Sequence, residues 1–443
     1  MRGVVWTTGT YAFSVIIRFG SNVVLARLLS PELFGALLII NTIRQGIELS
    51  SDVGLAQNVV QNKAGANAEF YNTAWAMQVV RGIAVGVILF LCAGPIANLY
   101  SLPVSAFQIS AAILLVAGLA STSIFLLHRN MQLAKLNLFD LAQDGVGAAI
   151  LITAALISPT VDSLLVAVLL SQIIRSIWSH FLGAERNGIQ FSKSHAWEIL
   201  IFGRWIFLAS ILSFLCTSFD RLYIGKVAPL AIVGVYGIAR TLADIPAMLG
   251  ARIGYSVVFP AVSVARGLER ADIRTRLGSI RFMLLLAAAL AIACAITISD
   301  LAVKFIYDAR YIDASWMLPL LLVGVWLALL CAINEFVMLG VGRPFYNVVG
   351  NTVKLIYFLF VLPLAYRAFG ILGAVLAIAF SEVGRYCVFA AAQRRERLSF
   401  FGQDVSATIV FLGIVFGLSW IRFSMGFGTA FDDVPYKQLF GLM

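Results

Sequence analysis

Charge is what this 443-residue chain has least of. Asp, Glu, Lys and Arg make up 12% of it, about half of the roughly 25% usual in a soluble domain. No polar stretch is long enough to fold as a separate catalytic or nucleotide-binding domain. No GxxxxGK[ST] loop occurs, which excludes nucleotide hydrolysis by that route. The five cysteines, Cys92, Cys216, Cys294, Cys331 and Cys387, lie far apart in apolar runs and form no CxxC. Buried free thiols are therefore expected, not a disulfide framework or a thiolate metal site. His128, His180 and His195 show no ligand spacing, and no metal or cofactor is expected.

Apolar residues fill the space that charge leaves: 61% of the chain is hydrophobic. At roughly 20 residues per crossing, a dozen membrane spans would take up about 240 residues. The expected fold class is an all-α polytopic membrane protein, which rules out a soluble enzyme. The 32 basic and 22 acidic residues leave a net charge of +10. In such a chain the excess anchors turns at the membrane surface and implies no nucleic acid. The opening run to Ala26 exceeds the apolar core of a signal peptide and reads as an uncleaved first helix.

Apolar runs between polar breaks predict thirteen helices, over 4–27, 32–61, 68–98, 105–128, 136–158, 162–184, 199–225, 230–260, 277–301, 314–341, 345–367, 370–392 and 404–423. Sorted over the intervening turns, fourteen basic residues fall on the side of the N-terminus and seven on the other. This bias predicts a cytoplasmic N-terminus. The basic clusters at 266–276 and 394–397 suggest contact with anionic membrane lipids.

A weak repeat at an offset of 199 relates helices one and two to helices seven and eight. Tyr11, Ser14, Arg18 and Asn22 share one helix face, and their offset partners are Ser210, Ser213, Thr217 and Arg221. Two six-helix lobes are expected, over 1–198 and 199–392, followed by a basic turn, an extra helix and a tail over 393–443.

Intramembrane charges usually face a bundle interior or a wet cavity. Arg44, Glu48 and Asp52 share a face of helix two. Gln78 and Arg81 lie on helix three, and Arg240 and Asp244 on helix eight. Glu335, Lys354, Glu382 and Arg385 lie on helices ten to twelve. Arg44–Glu48, Arg240–Asp244 and Glu382–Arg385 can close as salt bridges within single helices. Arg18, Arg81 and Lys354 have no acid one turn away, and these three are the leading candidates for gripping an anionic substrate. Arg44 and Arg240 are further candidates. Glu48, Asp52, Asp244, Glu335 and Glu382 are candidates for ion coupling by position alone. Tyr11, Ser14, Asn22, Asn41, Gln45, Gln78, Ser210, Ser213 and Thr217 form the expected polar stripe of a cavity, where they would meet sugars or bond helix to helix.

The segment Val23-Val24-Leu25-Ala26-Arg27-Leu28-Leu29-Ser30-Pro31-Glu32-Leu33-Phe34-Gly35 resembles the first-loop signature of polysaccharide and O-antigen flippases. These belong to the multidrug/oligosaccharidyl-lipid/polysaccharide exporter superfamily. Phe202-Gly203-Arg204, Phe219-Asp220-Arg221-Leu222-Tyr223-Ile224-Gly225, Val233-Gly234-Val235-Tyr236 and Phe259-Pro260-Ala261 are similar to its second half. The resemblance implies a bacterial inner-membrane protein with two lobes around a central cavity. It implies that alternating access carries a polyprenyl-pyrophosphate-linked oligosaccharide outward for exopolysaccharide, capsule or lipopolysaccharide synthesis. A polysaccharide polymerase and a chain-length regulator are the implied protein partners, and no enzymatic activity is implied. Two competing readings are a multidrug or ion antiporter of the same fold and a membrane-embedded glycan polymerase. The loops are too short to offer the polymerase a catalytic group.

Overall fold

A long apolar segment in lipid has no partner for its backbone except itself, so it coils until its own carbonyls satisfy its N–H groups. A computed structural model describes residues 2–183, 187–188, 190–265, 267 and 269–436, with the backbone alone for 2–8, 11 and 12. All of its regular structure is helical. The chain divides into two compact units, Met1–Phe214 with Arg221–Val233, and Leu215–Asp220 with Gly234–Met443.

The first unit holds α1 (Arg2–Leu28), α2 (Pro31–Leu49), α3 (Leu55–Gln61), α4 (Ala68–Tyr100), α5 (Val104–Gly118), α6 (Ser123–Arg129), α7 (Leu133–Ile157), α8 (Val161–Ser179) and most of α9 (Lys193–Val227). The second holds most of α10 (Leu230–Val264), then α11 (Arg270–Ile306), α12 (Ala314–Gly340), α13 (Phe345–Ala379), α14 (Glu382–Arg395) and α15 (Phe401–Ser424). Among the described residues nine helical segments are long and apolar enough to cross a membrane, or ten if the bent α5–α6 pair is one crossing. The α2–α3 pair is not among them, because Glu32, Arg44, Glu48 and Asp52 dilute its apolar run.

Helix ends follow local chemistry. Ser30 accepts a hydrogen bond from the Leu33 N–H at 3.4 Å, and Pro31 takes the first helical position of α2. The offset of 199 carries Leu28 to Val227 and Pro31 to Leu230. These are the end of α9 and the start of α10, so the repeat read in the sequence recurs in the helix boundaries.

Three predicted helices are corrected. The run 32–61 breaks at 50–54, where Gly54 adopts φ +67 and Asp52 Oδ1 accepts its N–H at 2.9 Å. The run 105–128 breaks at 119–122, and its halves α5 and α6 bend by 55°. The run 370–392 is interrupted at Phe380–Ser381, while the predicted gap before it is a kink at Phe369 and Gly370 inside α13. In each case a short polar or glycine-bearing turn sits inside an otherwise apolar run. Arg129 at the end of α6 donates to the carbonyls of Val59 at 2.9 Å and Val60 at 3.0 Å, capping α3 from another helix.

α4 and α5 meet backbone to backbone. A Cβ on Gly118 would lie 2.7 Å from the Gly82 Cα. Gly118→Val should therefore force the helices apart and cost about 1–3 kcal/mol. Gly94→Ala, which has open space around it, should be neutral. Unfolding midpoints in detergent compare the two, and equal midpoints would show that α4 and α5 can part freely.

In the second unit α11 packs against both α12 and α15. The Trp326 and Phe411 rings stack at 4.6 Å. A buried ion pair stands near each end of α15. Near its start, fully buried Arg281 bonds Asp404, Asn334 and Gln403. Near its end, Arg422 binds Asp300 in bidentate fashion at 2.6 and 2.7 Å. Beyond α15, the Thr429 hydroxyl and N–H both donate to Asp432 and hold its carboxyl below the usual aspartate range.

Candidate functional site

Each unit carries its own cluster of charges within its helices. In the first unit, Arg18 on α1 donates from Nε to Asp144 Oδ2 on α7 at 3.0 Å, and Ser14 one turn earlier donates to the same oxygen. The Arg18 side chain is 67% exposed. Its two Nη nitrogens have no partner among the described residues. On α2, Arg44 approaches Glu48 at 3.7 Å and Asn41 at 3.4 Å. Asp52 receives Arg81 of α4 at 3.4 Å. Gln78, one turn before Arg81, is buried and donates to the carbonyls of Gly118 and Ala120 at the break after α5. A cavity of about 260 Å³ is lined by Glu48, Gln78, Arg81, Gln172 and Arg175, among others.

The second unit is more tightly neutralised. Lys354 on α13 bonds Glu382 on α14 at 2.6 Å, and both are buried. Arg385 reaches Glu382 at 3.4 Å and Glu335 of α12 at 2.5 Å. Arg240 on α10 lies 3.2 Å from Asp244 and 3.8 Å from Asp220, whose carboxylate also accepts the Tyr236 hydroxyl. Carboxylates and cations thus alternate through the cluster. The cavity among them, lined by Thr217, Asp220, Arg240, Asp244, Lys354 and Glu382, measures about 50 Å³. That is room for waters or a bare cation and not for a sugar ring.

Arg18, Arg81 and Lys354, with no acid one turn away on their own helices, nevertheless have acidic partners. Each has one on a different segment, at sequence separations of 126, 29 and 28. Spacing along one helix cannot reveal a partner on another. Within the expected polar stripe, Ser14 and Gln78 are buried and turned into hydrogen bonds within the unit. Asn22, Asn41 and Ser210 are half-buried, and Gln45, Ser213 and Thr217 exposed. The side chain of Tyr11 lies outside the described residues.

Several charged groups escaped the sequence reading. Asp144 meets Arg18, Asp140 meets Arg175 at 2.9 Å, and Arg281, Asp300, Asp404 and Arg422 brace α15. The signal was available, since each is a charge in or at the edge of an apolar run. Asp140 and Asp144 also share a helix face one turn apart.

Residues 24–316 match the model of a family described as polysaccharide biosynthesis protein. The chain is 25% identical over 267 residues to the lipopolysaccharide biosynthesis protein WzxC of Escherichia coli (strain K12), covering 59% of this chain and 54% of that protein. It is 26% identical over 268 residues to the succinoglycan biosynthesis transport protein ExoT of Rhizobium meliloti (strain 1021), covering 58% and 53%. The aligned region thus spans about half the length of each curated relative. The lipid II flippase MurJ in an inward closed conformation superposes with a TM-score of 0.75 over 98% of this chain and 100% of that one. At 13% identity this is a likeness of fold. The apolar helices and these relatives make the chain a multi-pass bacterial membrane protein.

Proposed function

The chain belongs to the polysaccharide biosynthesis protein family, and from that premise we propose that it is an inner-membrane flippase with a cytoplasmic N-terminus. Its substrate is a polyprenyl-pyrophosphate-linked oligosaccharide, moved outward by alternating access. The product feeds a polysaccharide polymerase and its chain-length regulator, and the chain itself performs no catalysis. The observation that carries the substrate class is Arg18. It lies well inside a helix, keeps 67% of its side chain exposed and holds Asp144 through Nε alone. A guanidinium held this way keeps its Nη1/Nη2 edge unused, the geometry that grips a phosphate oxygen pair. Arg81 and Arg44, each with an Nε that is buried and unbonded, extend the cationic surface of the first unit. Lys354 and Arg240 are already neutralised and join Asp244, Glu335 and Glu382 as the group we assign to ion coupling.

The test is glycan export in a strain lacking its own flippase, with membrane protein level measured alongside. Arg18→Lys should retain part of the export, because a point charge still attracts phosphate. Arg18→Gln should lower it about tenfold or more, the equivalent of one charge-assisted hydrogen bond. Adding Asp144→Asn to Arg18→Gln separates the roles, because a merely structural pair would recover and a phosphate contact would not. Full export by stable Arg18→Gln/Arg81→Gln protein would end the proposal. The second reading, an ion-coupled antiporter, is favoured by the buried carboxylates around the small cavity of the second unit. It predicts drug efflux that survives loss of all glycan substrates.

A further inference from the structure

A second charged cavity lies in the second unit, away from the buried cluster. It measures about 870 Å³ and opens where α11 and α15 begin and α14 ends. Arg270, Arg274 and Arg397 line it, with the hydroxyls of Thr275, Ser279 and Ser399. Among the described lining residues Glu269 is the only carboxylate, which leaves two positive charges in excess. Arg274 and Arg397 have no ion-pair partner among the described residues. Arg270 lies 3.7 Å from Glu396, which Arg343 already holds at 2.9 Å, and its Nη1 is buried without a hydrogen-bond partner. An orphaned buried guanidinium nitrogen beside two unpaired arginines is a site short of an anion.

Arg397 adds an independent observation. It stands at φ +58, in the left-handed region, immediately past α14. The Leu398 N–H returns to the Gln393 carbonyl at 2.8 Å, the bond of a Schellman termination. Glycine is the usual residue at that position. An arginine there holds a conformation that costs about 1–2 kcal/mol, and in return its guanidinium lines the cavity. Strain of this kind, kept where the side chain has something to bind, points to function.

We propose that this cleft docks the headgroup of a membrane lipid carrying two phosphates. Two excess charges match two phosphates, and the volume exceeds what a single phosphate would need. The location selects a lipid over a soluble anion. The cleft lies at the same end of two spans, Arg270–Ile306 and Phe401–Ser424, where headgroups sit. Ile280, Phe401 and Val405 are exposed beside its lining and offer acyl chains an apolar flank. The cleft also lies at the N-terminal ends of α11 and α15, where the helix dipoles favour a negative charge. The site is independent of which glycan the protein moves.

The experiment titrates the purified full chain in detergent with cardiolipin and, separately, with inorganic pyrophosphate. Unfolding midpoint and bound lipid, by native mass spectrometry, are followed. Cardiolipin should raise the midpoint of the unaltered protein. Arg274→Gln and Arg397→Gly should each weaken that binding about tenfold, as loss of one charged contact predicts. Without lipid, Arg397→Gly should be at least as stable as the parent because the strain is relieved. This separates lost binding from lost folding. Equal cardiolipin binding by parent and variants would overturn the site. A response to pyrophosphate alone would overturn the lipid, and no response to either would overturn both.

Discussion

Replacing Glu382 by alanine should remove most of the folded protein from the membrane. The carboxylate holds Lys354 and Arg385, all three side chains being largely buried. Deleting one member of such a cluster leaves a buried charge uncompensated, at a cost of about 3–5 kcal/mol. Removing the Lys354 charge together with it, as Lys354→Met/Glu382→Leu, should restore the protein level. Arg385 retains Glu335 in that variant, so the balance of charge is kept. Export should remain lost, because the ion-coupling group has been dismantled. Level and export are measured in the same cells. If export returns with the protein, the cluster is a structural brace and the coupling assignment fails.

Stopping the chain after Arg395 should be as damaging. That truncation strands Arg281, fully buried, and Asp300, whose side chain is 4% exposed. Two such losses approach about 6–10 kcal/mol, comparable with the whole stability of an ordinary domain, about 5–15 kcal/mol. A pulse-chase half-life in membranes should fall sharply. Adding Arg281→Met and Asp300→Leu to the shortened chain should recover part of it. A shortened chain as long-lived as the full one, without those substitutions, would show that α15 is an appendage and not a brace.

The helices were legible because lipid-scale apolar runs have few alternatives. Breakers such as Ser30-Pro31 and Gly342-Arg343-Pro344 mark ends by removing donors or supplying caps. The breaks at 50–54 and 119–122 were not legible, because Ser, Thr and Gly are also ordinary inside spans. Intramembrane charges were legible one by one, and Arg44–Glu48 and Arg240–Asp244 also as pairs, since one helical turn relates them. Arg18–Asp144 and Arg281–Asp404 were not, being contacts between helices more than a hundred residues apart. Arg281 resembles any other arginine near the start of a span until α15 is packed against it.

The same separation has a consequence in time. Chains are made at roughly 5–20 residues per second. Arg281 therefore precedes Asp404, 123 residues later, by roughly 6–25 s. During that interval α11 is available for insertion while the acid that will neutralise its arginine is not yet made. The second unit must wait in a half-assembled state, with Arg281 held by water, lipid headgroups or the insertion machinery. Slowing translation just before α15 should lengthen the life of that intermediate and expose it to membrane proteases. A pause before α2 should leave it unaffected.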